Sequence, residues 1–233
     1  MSVAPSPLAA SAHRPALGMS LVELMVGITV GLLVVAAASF VAVNQLGDTR
    51  RLLLETQVQQ DLRAASDLIA RDLRRAEYWG GAEAGVWYTG GPNVVGNPYE
   101  SIDAQAQEVT YAYSRDGKDD PAEDNVIDED RERFGFKLQN ASIRMRVGDA
   151  WQELTDSTVL KVTQFDVTLN DEAVIQSCFK ECAGGGTACW PRQDVRRVTV
   201  EIAGEAVADT AVKRSLRTVV RLRNDATRGA CPA

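Results

Sequence analysis

Glu23 is the side chain whose surroundings in the sequence most need an explanation. It closes the run Gly18-Met19-Ser20-Leu21-Val22-Glu23, and residues 24–43 behind it carry no charged side chain. Twenty apolar or small residues at about 1.5 Å each make a helix roughly 30 Å long, the thickness of a bilayer's hydrocarbon core. A carboxylate held in that setting is unfavourable by about 2.5–3.5 kcal/mol on insertion scales unless an opposite charge offsets it. The chemistry open to Glu23 is therefore charge pairing in a low-dielectric site, where opposite charges attract strongly and each is unfavourable when buried alone.

Two further groups of residues could do chemistry. The cysteines are Cys178, Cys182, Cys189 and Cys231, an even count that means disulfides in an oxidising, extracytoplasmic compartment. Two bridges are expected, and the spacing leaves all three pairings open. A four-thiolate zinc site is the rival, but Cys-x3-Cys-x6-Cys with a distant fourth lacks the paired Cys-x2-Cys knuckles such sites use. Residues 116–130 gather eight acids, Asp116, Asp119, Asp120, Glu123, Asp124, Asp128, Glu129 and Asp130, against Lys118 alone, a net charge of -7. The bland reading is a solvated loop held open by self-repulsion. The functional one is a calcium loop, although the spacing departs from the EF-hand pattern; a basic partner surface is a third. No phosphate-binding loop, dinucleotide fingerprint or nucleophile elbow is present. Abundant carboxylates alone do not place two of them on a substrate, and no enzyme activity is expected.

The elements that must position these groups are legible from periodicity. No proline occurs between Pro15 and Pro92, so one long helix is expected to continue beyond the apolar run. Its second half places Leu54, Val58, Leu62, Ala65, Ile69, Leu73 and Ala76 on one face at steps of four or three, with Arg63, Asp67, Arg71, Asp72 and Arg75 largely elsewhere. Gly80-Gly81 is the expected stop, because glycine readily adopts the left-handed conformation that ends a helix. Downstream the period becomes two. Residues 109–113 and 134–138 read as strands flanking the acidic segment. Ile143, Met145 and Val147 alternate with Arg144 and Arg146; Phe165, Val167 and Leu169, then Val198, Val200 and Ile202, then Leu216, Thr218, Val220 and Leu222 do the same. The prediction is an α+β fold in which the amphipathic half of the helix covers an antiparallel sheet.

The segment from Gly18 to Glu23 with its apolar run resembles the type IV prepilin signal. There a dedicated peptidase cuts after the glycine, the new N-terminus is methylated, and a glutamate stands fifth after the cut. An ordinary secretory signal differs: its apolar region is shorter, and a small-residue cleavage site follows the region, whereas here the glycine precedes it. The resemblance implies cleavage between Gly18 and Met19, N-methylation of Met19, and pairing of the Met19 amine of one subunit with Glu23 of a neighbour during filament assembly. Loss of the leader would remove the only histidine, His13, and with it serine or cysteine catalysis through histidine and histidine-containing zinc sites. It would also remove Arg14 and no acid, taking the net charge from -7 to -8. So acidic a chain disfavours a broad nucleic-acid surface, and no direct nucleic-acid partner is predicted. Gly27 and Gly31 add a G-x-x-x-G spacing that allows close helix approach.

Residues 72–80, Asp-Leu-Arg-Arg-Ala-Glu-Tyr-Trp-Gly, look like the stretch that ends the long helix in minor pilins of the PilW type. Trp-Gln-Glu-Leu-Thr-Asp at 151–156 and Gly-Gly-Gly-Thr-Ala-Cys-Trp-Pro at 184–191 are similar to that family too. The resemblance implies a type IV pilin-like fold with a cleaved leader at 1–18, a transmembrane or filament-core helix at 19–44, its amphipathic continuation at 45–79 and a disulfide-containing β-rich head at 80–233. No cofactor is expected, calcium in the acidic segment aside. Its partners would be prepilin peptidase, other minor pilins, the major pilin and a tip adhesin. Its location would be the inner membrane with a periplasmic head, then the pilus. The J-type minor pseudopilin of type II secretion shares these features. A membrane-anchored periplasmic binding module that never polymerises would share the helix without needing Glu23.

Overall fold

Helix α1 spans Leu21–Leu73 in the computed structural model, which describes residues 18–85, 95–115 and 123–232. The chain divides into two units, Met1–Arg50 and Arg51–Ala233. In the first, every described side chain is exposed, including Leu24, Leu32, Val34 and Phe40. An 18-residue window of this helix has a mean hydropathy of 2.5, enough by length and composition to cross a membrane.

In the second unit the helical stripe is buried as its spacing requires. Val58, Leu62, Ala65, Ile69, Leu73 and Ala76 are all at most 4% exposed, and Leu54 is half-buried. Full burial of each Val, Leu or Ile side chain contributes about 1.5–3 kcal/mol, so this stripe is a principal attachment of the helix. Its partners are strands. A five-stranded antiparallel meander contains β1 (Ile102–Gln105), β2 (Glu108–Ala112), β3 (Arg133–Gln139), β4 (Ser142–Val147) and β5 (Ala150–Glu153), in that spatial order. A second antiparallel sheet contains β6 (Leu160–Ile175), β7 (Arg192–Ala206) and β8 (Lys213–Arg221), with β9 (Ala226–Arg228) on β7. Tyr111, Phe136, Ile143, Phe165, Val198, Val200, Ile202 and Val220 close one hydrophobic core with the helix.

Polar bonds fix the helix in register. Ser66 Oγ lies 2.7 Å from Thr218 Oγ1 on β8, Tyr111 donates its hydroxyl to Asp72 at 2.5 Å, and Arg214 pairs with Glu55. The β3–β4 hairpin turns at Asn140 and Ala141, with φ of 54° and 60°, the doubly positive pair of a turn whose twist suits a two-residue hairpin.

Two expectations are corrected here. The antiparallel strands form two sheets, because after β5 the chain starts a second meander that meets the first, among the described residues, through the isolated bridge Ala106 to Asp166, the bond from Val162 N–H to Ala141 O at 2.8 Å and side-chain packing. The helix ends at Leu73, ahead of Gly80-Gly81. Arg75 and Ala76 turn tightly onto the carbonyls of Asp72 and Leu73; Glu77 N–H then donates to Ala112 O at 2.7 Å, and Ser114 N–H to Tyr78 O at 2.8 Å. Backbone bonding to the extension of β2 captures the chain before the glycines are reached. Glu77, with φ of 64°, takes the left-handed position that glycine was expected to hold.

Candidate functional site

The first candidate site is the start of α1. Leu24 N–H donates to Ser20 O at 3.1 Å, so the helix begins two residues after Met19. Glu23 stands in its first turn, where unpaired N–H groups carry partial positive charge that favours a carboxylate. Gly18, Met19 and Glu23 are all exposed, Met19 by 68%. An added Cβ at Gly27 or Gly31 would meet nothing within 4 Å in this chain, so both present bare backbone. Among the described residues the segment therefore joins the expected cleavage position, one acid and an apolar face that packs against nothing.

The second is the turn after α1, and its key pair was missed by the sequence reading. Glu77 is fully buried and Arg196 of β7 nearly so, with Nη1 to Oε1 at 2.5 Å. Glu77 Oε2 has no hydrogen-bond partner among the described residues, and Glu100 lies 3.8 Å from the same guanidinium. Burial pushes the Glu77 carboxyl up to about 7, against the pull of Arg196 and with the push of Glu100 and Asp171. A signal existed: Glu77 continues the series Ile69, Leu73 at a step of four, an acid on an otherwise apolar face.

The acidic segment is only partly visible. Asp116, Asp119 and Asp120 lie outside the described residues. Glu123 folds back on the helix exit, accepting from Tyr99 OH at 2.8 Å, Gly80 N–H at 3.2 Å and Asn125 N–H at 3.0 Å. Burial pushes its carboxyl up, but the hydrogen bonds, with Ser114 foremost, bring it below the ordinary range. Asp124 and Asp128 cap their own turns through Val126 N–H and Asp130 N–H. Glu129 bonds Arg133 and Arg146, and Asp130 is raised by its hydrogen bond with Asp149. Glu132, outside the predicted set and 3% exposed, accepts from Tyr99 OH and from the N–H groups of Arg115 and Asp128. Burial, then these two acids, holds the Tyr99 hydroxyl far above its usual range. Among the described residues no three acids, histidines or cysteines stand together as a metal site.

The cysteines pair as Cys178–Cys231 and Cys182–Cys189. Both bridges sit on the β6–β7 connection, the first tying it to the segment after β9 and the second closing a loop within it. Phe179, between them, is fully exposed.

With this geometry in view, the sequence profile of prepilin peptidase-dependent protein B matches residues 51–222. No curated protein matches the chain significantly. No solved structure does either. The profile match spans the helix stripe and both sheets; the Gly18-to-Glu23 segment lies outside it.

Proposed function

The chain belongs to the prepilin peptidase-dependent protein B family, and from that premise we propose that it is a minor pilin of the PilW type that helps initiate a type IV pilus. The observation that carries the reading is the start of α1, where Gly18, Met19 and Glu23 lead into an uncharged run at residues 24–43 whose apolar side chains are all exposed. Prepilin peptidase cuts between Gly18 and Met19, and the new N-terminus is methylated. The helix holds the subunit in the inner membrane with its head in the periplasm, then packs in the filament core. Other minor pilins and the major pilin supply the contacts that the helix lacks within its own chain, and the head meets a tip adhesin. The work is assembly, with no catalysis and no cofactor.

The mechanism is electrostatic selection. Glu23 in hydrocarbon is costly alone, and the Met19 amine of a neighbouring subunit is costly alone; stacking that brings the two together relieves both. Glu23→Ala leaves the peptidase site and apolar span intact, so the variant is expected to insert and be cleaved yet fail to join the filament. Truncating one member of a buried ion pair costs about 3–5 kcal/mol, against about 0–1 kcal/mol for an exposed one. Processed variant should accumulate in the inner membrane, while counts of surface pili fall in cells lacking the native copy. Normal piliation with Glu23→Ala would return the subunit to a non-polymerising anchored module.

A further inference from the structure

A second, independent site lies where α1 ends. Arg74, Arg75, Arg115 and Arg223, with Tyr78, Tyr113, Ser114 and Asn224, wall an open pocket of about 420 Å³. Among the described residues, the wall holds four guanidiniums and no carboxylate. None of the four has a salt bridge among the described residues, although elsewhere in the head arginines pair freely: Arg133 with Glu129, Arg197 with Glu172, Arg217 with Glu201, Arg221 with Asp225. Of the acids nearest in sequence, Asp72 is engaged by the hydroxyls of Tyr111 and Tyr113, Glu77 by Arg196, and Asp225 by Gln193 and Arg221, while Asp116, next to Arg115, lies outside the described residues. Four like charges around one cavity repel one another. A helix C-terminus favours cations such as Arg74 and Arg75, but that does not bring Arg115 and Arg223 there from two other segments.

The arginines are positioned by aromatic rings and backbone. Arg75 lies 4.7 Å over the Tyr113 ring, Tyr113 stacks on Phe134 at 4.0 Å, and Arg115 lies 5.9 Å from the Phe134 ring. A guanidinium held by its face against a ring keeps its in-plane N–H donors for another acceptor. The three segments are tied together by Ser114 N–H to Tyr78 O at 2.8 Å and by the Asn224 amide to Ala76 O at 2.9 Å. The pocket is thus pre-organised, cationic and open, with half-exposed Tyr78 at its edge.

We propose that this arginine–tyrosine pocket is a recognition site for a short carboxylate-bearing segment of a partner polypeptide. Planar guanidinium forks match carboxylates in bidentate geometry. A long polyanion such as nucleic acid fits less well: Glu123 hydrogen-bonds the wall residue Ser114, and the chain as a whole carries -7, so charge beyond the pocket is repelled. The pocket therefore suits a few acidic side chains on an otherwise weakly charged partner. That the partner is a neighbouring subunit rests on the assembly role above; the binding chemistry does not.

The test is fluorescence polarisation of a fluorescein-labelled tetra-aspartate peptide against the detergent-solubilised full chain at low salt. Saturable binding is expected, weakened at least about tenfold by Arg74→Ala with Arg223→Ala, because each lost fork removes a charge-assisted pair. The control, Arg197→Ala with Arg217→Ala, makes the same change in net charge on the second sheet and should stay within about twofold. Unchanged unfolding midpoints verify that both variants fold. A Glu23→Ala chain should bind the peptide as the native chain does, so failure of the assembly reading leaves the pocket standing, and the reverse holds too. Absent binding, an equal loss in the control, or tighter binding of a ten-nucleotide oligothymidylate would each overturn the proposal, the last by assigning the pocket to nucleic acid.

Discussion

Replacing Arg196 by Met removes the cation that pairs with the buried Glu77 carboxylate while filling similar volume. Glu77 is fully buried, one oxygen takes Arg196 Nη1 at 2.5 Å, and the other has no partner among the described residues. Its carboxyl already titrates near 7 instead of 4.5, burial being the largest cause. That difference is worth about 3 kcal/mol. The sign follows: the folded state holds the proton more tightly than the unfolded state, so this group's stabilisation is complete below about pH 4.5 and is lost as pH rises through 7. In Arg196→Met the opposing cation is gone, while burial, Glu100 and Asp171 remain, so the folded carboxyl moves higher and the loss continues above pH 7. Stranding such a charge costs about 3–5 kcal/mol, but at pH 5 the variant's Glu77 is protonated and much of that cost disappears. Denaturant unfolding of the detergent-solubilised chain, followed by tryptophan fluorescence, should show a modest deficit at pH 5 that widens toward pH 8.5; Trp79, 5% exposed, lies two residues from the pair. An equal deficit at both pH values would refute the reasoning and assign the loss to packing alone.

Intact-mass spectrometry of protein made with prepilin peptidase should show residues 1–18 missing and Met19 as the N-terminus; a chain beginning within or after residues 36–42 would reveal an ordinary secretory signal instead. Thiol labelling of denatured, unreduced protein should find no free cysteine, and zinc retained through dialysis would overturn that. Opening Cys178–Cys231, with a sequence separation of 53, should cost about 4 kcal/mol, against about 2 for Cys182–Cys189 with a separation of 7, because a longer closed loop restricts the unfolded chain more; paired serine variants compared by thermal melting test the order. Gly135→Ala should destabilise the head by about 1–3 kcal/mol, since a Cβ there falls 2.6 Å from Val109 O on the adjacent strand; a neutral melting temperature would show that β2 and β3 part more easily than their register suggests.

Some of this was decided locally and could be read directly. The span from 24 to 43 follows from the absence of charge over a bilayer's length, and the stripe from Leu54 to Ala76 from a spacing that only a helix satisfies. Alternation placed the strands around Tyr111, Phe136, Phe165, Val200 and Val220 for the same reason. Periodicity says which face of an element is apolar. It does not say how many sheets those faces form, so two meanders were expected as one.

The α1 stop shows the limit most clearly. Local propensity favoured Gly80-Gly81, yet the helix ends at Leu73, because Glu77 and Tyr78 bond to the end of β2 and the residues just after it, far away in sequence. The same holds for Glu77 with Arg196, 119 residues apart, and for the four arginines that three segments bring to one pocket. The segment from Gly18 to Glu23 is different: the chemistry proposed for it depends on order along the chain, so the sequence is where it is read. Pairing among buried charges, the partners of Cys178 and Cys182, and the convergence of Arg74, Arg75, Arg115 and Arg223 depend on distances through space. The packing of α1 against both sheets sets those distances for the charges and the arginines, and the pairing of β9 with β7, beside the β6–β7 connection, sets them for Cys178 and Cys231.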